Sequence, residues 1–122
     1  MNRTLLITIL FLFHFTRIFS QTGWHTLPNI GLIDGGRYDD IWFFNADTGL
    51  TVTGEGHIYK TYDGGNHWYP KLTLSTETYF RSLEFLDDNK TGIAGALTGR
   101  VYRTTDAGEN WVEITASIPD TS

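Results

Sequence analysis

The chain has 122 residues, a formal charge of −5, 15% aromatic residues and no cysteine. The missing thiols exclude disulfide stapling, thiol catalysis, thiolate metal sites and a lipobox-type anchor. The acid excess argues against nucleic acid and anionic lipid as partners, because both need clustered basic residues.

Residues 1–20 read as a secretory signal peptide. Arg3 gives a basic start, Leu5 to Phe13 is an apolar run broken only by Thr8, and Ser20 precedes the expected cut. The run is short for a membrane span, which takes roughly 20 residues. An uncleaved anchor and a buried N-terminal strand are the competing readings, and Arg17 beside the cut weighs against cleavage. Beyond this segment seven basic residues face fourteen acidic ones. The expected location is therefore secreted, periplasmic or cell-surface, and export without cysteine favours a bacterial source.

Residues 21–38 form an N-terminal strand and loop. Gly23 to Leu27, around Trp24, is a short strand stopped by Pro28, and a glycine-rich loop follows. Residues 39–74 make one unit. The pattern predicts strands over Tyr38 to Phe44, Leu50 to Thr53, His57 to Thr61 and His67 to Leu72, with turns at Asn45–Gly49 and Gly54–Gly56. Residues 79–116 repeat that order, with strands over Phe80 to Leu86, Gly92 to Ala96, Arg100 to Thr104 and Asn110 to Ile114. Ser75 to Thr78 is a polar connector. The runs are rich in Val, Ile, Thr and aromatic residues, which suit a pleated, half-buried surface.

The two units are copies. Thr61-Tyr-Asp-Gly-Gly-Asn-His-Trp68 returns as Thr104-Thr-Asp-Ala-Gly-Glu-Asn-Trp111, an eight-residue box at an offset of 43 residues. At the same offset Thr48-Gly49 falls on Thr91-Gly92, Gly56 on Gly99, Ile58-Tyr59-Lys60 on Val101-Tyr102-Arg103, and Trp42-Phe43 on Phe85-Leu86. A period of that size is the length of one four-stranded propeller blade. The expected fold is all-β: two four-stranded antiparallel blades plus an N-terminal strand, a fragment of a larger propeller.

Each box residue has a structural use. Asp63 and Asp106 are placed to accept backbone N–H groups of the turn. Gly65 and Gly108 permit a conformation costly for other residues. Thr61 and Thr104 are expected to bond across the hairpin, and Trp68 and Trp111 to cover the turn. Acid, base or calcium-ligand roles for Asp63 and Asp106 are the alternative, but an active site needs one special place and not a copy per blade. By the same logic Tyr59 and Tyr102 are packing residues, and Lys60 and Arg103 a solvated strand position.

The boxes resemble the Asp-box, or bacterial neuraminidase, repeat. The longer unit from Phe43 to Trp68 is similar to the repeats of the photosystem II stability and assembly factor family, whose members are seven-bladed propellers. The resemblance spans about Asp39 to Ile114 and implies a propeller of the broad WD40-like architecture. It does not imply one activity, since sialidases, xyloglucanases and sortilin-type receptors carry the box. The assembly factor's basic face is not recognisable in this acidic chain. Arg37, Arg81, Arg100 and Arg103 do not reproduce a sialidase arginine set.

Other chemistry is sparse. His25, His57 and His67 lack zinc spacing. Asp39-Asp40 and Asp87-Asp88 are acidic pairs near strand ends, and Asp87-Asp88 fits turn chemistry better than a glycosidase cleft. Asn89-Lys90-Thr91 is a formal glycosylation sequon within a turn. No catalytic residue, cofactor site or metal site is expected.

The expected function is an exported repeat module acting as a scaffold or as a protein- or glycan-binding domain. The alternatives are a fragment of a propeller glycoside hydrolase, and an assembly factor-like protein without a photosynthetic role. Two blades leave both outer faces apolar and wet. The chain is therefore expected to be partial, or to self-associate if it is complete.

Overall fold

A computed structural model describes residues 36–115. The proposed export segment, the strand around Trp24 and His25 lie outside the described residues. Among the described residues there are eight strands: β1 (Tyr38–Phe43), β2 (Gly49–Thr53), β3 (His57–Thr61), β4 (Tyr69–Thr73), β5 (Phe80–Phe85), β6 (Gly92–Ala96), β7 (Val101–Thr104) and β8 (Val112–Glu113). They form two antiparallel sheets in chain order, β1-β2-β3-β4 and β5-β6-β7-β8. Each sheet is a meander, referred to below as blade 1 and blade 2.

Local chemistry sets the hairpins. Asn45 Oδ1 accepts the N–H groups of Asp47 and Thr48 at 2.9 and 2.8 Å. Asp88 Oδ1 accepts those of Lys90 and Thr91, both at 2.8 Å. These side-chain-closed turns join the first two strands of each blade. At the next hairpin Thr53 Oγ1 accepts from Glu55 and His57.

The fourth strands start later than the pattern predicts. His67-Trp68 and Asn110-Trp111 belong to the turns, because carboxylates hold the N–H groups of His67 and Asn110 there.

The repeat offset is not uniform. Phe43 stands opposite Gly49, and Phe85 opposite Gly92. Phe43 therefore corresponds to Phe85, and the first strands are offset by 42 residues rather than the 43 of the rest of the unit. Asp87 is the extra residue that restores the longer period. The cause is packing. A Cβ on Gly49 would lie 2.8 Å from the Phe43 ring, and one on Gly92 2.5 Å from the Phe85 ring. Each ring lies over a bare glycine, and that contact sets the register.

Cross-strand neighbours share a sheet face. In blade 1 one face carries Trp42, Leu50 and Lys60 in one row and Val52, Ile58 and Leu72 in another. In blade 2 the opposite face carries Leu83, Ala94 and Tyr102, with Phe85 and Phe80 alongside. These two faces form one core, which contains Leu50, Val52, Ile58, Phe80, Leu83, Phe85, Ala94 and Tyr102. The Phe85 ring meets Phe44 edge-on at 4.8 Å and lies 5.8 Å from Trp42. The hydrophobic core is thus the joint between the blades.

A wet outer face is found on blade 2, where Ile93 and Val112 are exposed. The outer face of blade 1 is mixed, because Ile41 and Phe43 are exposed on it while β2 is buried along its whole length. Thr51, Thr53 and Tyr59, facing away from blade 2, are all buried. Thr51 can be buried there because its hydroxyl donates to the Asp40 carbonyl at 3.0 Å.

Candidate functional site

The two boxes have nearly the same geometry. Thr61 Oγ1 donates to Asp63 Oδ1 at 2.9 Å and accepts the Gly65 N–H at 2.8 Å. Thr104 Oγ1 donates to Asp106 Oδ1 at 2.8 Å and accepts the Gly108 N–H at 2.9 Å. Both threonines are buried and bond within the turn, not across the hairpin as the sequence suggested. The reason is their position at the strand end, where the next four residues curl back over the hydroxyl. Gly65 and Gly108 have φ of 90° and 84°, in the region that penalises a Cβ. Trp68 packs on Gly65, and Trp111 meets Phe85 edge-on.

The aspartates turn inward on their own loops. Asp63 accepts the His67 N–H at 2.8 Å on Oδ1, and Oδ2 meets His67 Nδ1 at 2.5 Å. Asp106 accepts the Asn110 N–H at 2.9 Å and the Asn110 side-chain amide at 2.7 Å. Bonds from the His67 ring and N–H hold the Asp63 carboxyl at about 2, well below the usual range. The Asn110 side chain and N–H do the same for Asp106, also at about 2. Such carboxylates are poor bases, and their oxygens are occupied.

Lys60 is where the sequence reading fails. It is buried, with its side chain only 4% exposed. Its Nζ donates to the Ala107 carbonyl at 2.8 Å and to Glu109 Oε1 at 2.7 Å, both in the box of blade 2. The lysine row therefore faces the neighbouring blade, and the sheet is covered there. Arg103, in the matching row of blade 2, is exposed. The side chain of Leu50, next to Lys60 across β2 and β3, packs on Gly108. The box of blade 2 thus receives an apolar anchor and a cation from blade 1.

Glu109 completes a polar cluster at this joint. Besides Lys60 it accepts from Lys71 Nζ at 2.6 Å and from the Tyr62 hydroxyl at 2.7 Å. Burial raises the Glu109 carboxyl, but the bonds from Lys60, Lys71 and Tyr62 outweigh this and hold it at about 2. Both ammonium groups lie 5.3 Å from the centre of the Tyr62 ring. Glu109 and Tyr62 occupy variable box positions, so the box pattern gave no signal for them. The burial of Lys60 had no local signal either.

Asp39, Asp40 and Asp88 are also used in the fold. Asp39 bridges Arg37 at 2.8 Å and Arg81 of blade 2 at 3.4 Å. Asp40 Oδ2 accepts the Leu83 N–H of blade 2 at 2.8 Å. These two carboxylates join β1 to β5, the first strands of the two blades. Asp88 closes its turn, and Asn89 adopts a positive φ of 53° within it. Among the described residues no group of three or more His, Asp or Glu side chains is placed to hold a metal ion.

The fold and its joint define a β-propeller module of two consecutive blades. Its described architecture is similar to two solved structures of YCF48, a photosystem II assembly factor with a propeller fold. The structure of YCF48 bound to D1 peptide matches with a TM-score of 0.60 at 24% identity, covering 71% of this chain and 28% of that one. YCF48 from Cyanidioschyzon merolae matches with a TM-score of 0.58 at 25% identity, covering 76% and 27%. This chain therefore spans little more than a quarter of the length of those structures. No protein-family model and no curated protein matches it.

Proposed function

We propose that this chain is an exported propeller module that binds an extended segment of a protein partner, with residues 1–20 as the export signal. The observation that carries the reading is the similarity in fold to a YCF48 structure holding a D1 peptide. Two features of this chain support it. The box residues and the Asp39-Asp40 pair are spent on turns and on the inter-blade joint, which leaves a rigid scaffold. The acid excess outside residues 1–20 favours a segment with positive charge.

Selection of the 122-residue chain against a displayed random-peptide library tests the binding, with D1 peptide and a scrambled control titrated by calorimetry. Enriched peptides of net positive charge, whose binding weakens with added salt, are the expected outcome. A chain that ignores every peptide but retains a sugar on a glycan array belongs to the glycan-binding class instead. Export is tested separately. Expression in a bacterium followed by mass spectrometry is expected to give a mature N-terminus at Gln21, and an intact N-terminus in the cytosolic fraction would refute it.

A further inference from the structure

The turn between β5 and β6 carries side chains that its closure does not use. Asp88 closes it as Asn45 closes the matching turn of blade 1, so Asn89 stands where blade 1 has Ala46. The positive φ of Asn89 suits asparagine, but glycine would serve the backbone as well. Asp87 is the residue that blade 1 lacks. Both Asp87 and Asn89 are exposed. Among the described residues neither the Asp87 carboxylate nor the Asn89 amide has a hydrogen-bond or ion-pair partner.

The run Asp87-Asp-Asn-Lys-Thr91 holds an Asn-x-Thr acceptor triplet with a carboxylate two places ahead of the asparagine. We propose that Asn89 is the acceptor of an N-linked glycan, added by an oligosaccharyltransferase of the bacterial kind that reads such a carboxylate. The proposal rests on the export of the chain proposed above. Asn2-Arg-Thr4 is the other triplet of this form, but it lies in the export segment and has no residue two places ahead.

The donor is an oligosaccharide carried on a polyprenyl diphosphate. Asn89 Nδ2 forms the bond to the anomeric carbon of the first sugar. The bond from that carbon to the diphosphate oxygen breaks, and the proton lost by the amide leaves with the diphosphate. In the folded turn the Thr91 hydroxyl donates to Asp88 Oδ2 at 2.7 Å and is withheld from an enzyme that reads the triplet. Transfer therefore precedes closure of the hairpin, on a chain still crossing the membrane. Exposure matters afterwards, because a glycan on Asn89 projects into solvent and displaces no contact of the fold.

The test is expression of the full chain in a bacterium that has a periplasmic oligosaccharyltransferase and its lipid-linked oligosaccharide. A second arm places residues 21–122 behind a signal peptide of proven function, so that failed export and failed transfer are told apart. Mass spectrometry of the tryptic peptide Ser82–Lys90 is expected to show the glycan on Asn89. Asn89→Gly keeps the turn and removes the amide, and Asp87→Ala costs the fold no bond. Both are expected to abolish the modification, with melting midpoints within about 2 °C of the parent. An exported chain with a mature N-terminus and an unmodified peptide overturns the proposal. A glycan that survives Asp87→Ala overturns the part given to that carboxylate. Glycan in the second arm alone refutes residues 1–20 as the export signal and upholds Asn89 as acceptor. Finally, folded chain purified from the cytosol is expected to stay unmodified when given the enzyme and donor, and modification in equal yield would overturn the inferred order of transfer and folding.

Discussion

Blade 1 and blade 2 are written in nearly the same pattern, yet the same row of side chains meets two different environments. Leu50 and Lys60 are buried against the box of blade 2, whereas Ile93 and Arg103 face outward. The difference lies in the neighbour and not in the strand. A box is a turn first, held by its own threonine and aspartate, and becomes a receptor only when another blade lies on it. The box of blade 2 has that second role, and the residue that fits it for the role, Glu109, sits at a position where the first box has Asn66.

The sharpest way to break this comparison is to remove the apolar anchor. Leu50→Ala is expected to cost about 2–5 kcal/mol in urea unfolding, because the collapsed site is a closed joint. Ile93→Ala, its partner in sequence, is expected to stay within about 0.5 kcal/mol. Similar losses at the two positions would mean that blade 2 is covered in solution.

Next is the charge cluster. Glu109→Ala leaves the buried Lys60 ammonium with one carbonyl and is expected to cost about 2–3 kcal/mol. That is below the usual range for a broken buried pair, because the carboxylate is 38% exposed and partly screened. Lys60→Met replaces the cation with apolar volume, while Glu109 keeps Lys71 and Tyr62. Its expected cost is under about 1 kcal/mol. A Lys60→Met loss exceeding that of Glu109→Ala would show the pair to be more than an inter-blade register device.

Acid sharpens the comparison of the two turns. Asp63, Asp106 and Glu109 are all held at about 2 in the folded chain, below the ordinary carboxylate value of about 4. Their contribution is fully present above the unfolded value and is lost as pH falls through the folded one. Stability is therefore expected to decline between about pH 4 and pH 2, and Asp63→Asn and Asp106→Asn should each flatten that decline. Urea midpoints at stepped pH check it, and unchanged slopes in both variants would exclude the two box aspartates as its source.

The smallest expected effect concerns backbone strain. Ala107 has a φ of 59°, where blade 1 has Gly64 at 69°. Ala107→Gly relieves that strain at the cost of a looser unfolded chain, for an expected gain of about 0.5 kcal/mol. A loss would mean that the Ala107 methyl packs usefully at the joint.

Much of this was legible from the chain alone. The boxes announced the turns because Thr, Asp, Gly and Trp each perform a local task within eight residues. The strands followed from alternation and from the turns between them. The register of the first strands was misread by one residue, since the phenylalanine-on-glycine contact that sets it spans two strands and leaves no spacing signal. Lys60 was misread as solvated because its row looks like that of Arg103, and nothing within the strand says which row is covered.

The blades follow from local pattern, since hairpins, capping carboxylates and alternating faces depend on neighbours a few residues apart. Which face is core, which cation is buried and which box receives another blade were settled by the stacking of the two sheets. Those outcomes depend on contacts such as Lys60 to Glu109, between residues nearly fifty positions apart in the chain. Side chains with the same local surroundings acquire different burial and charge partners once sheets stack.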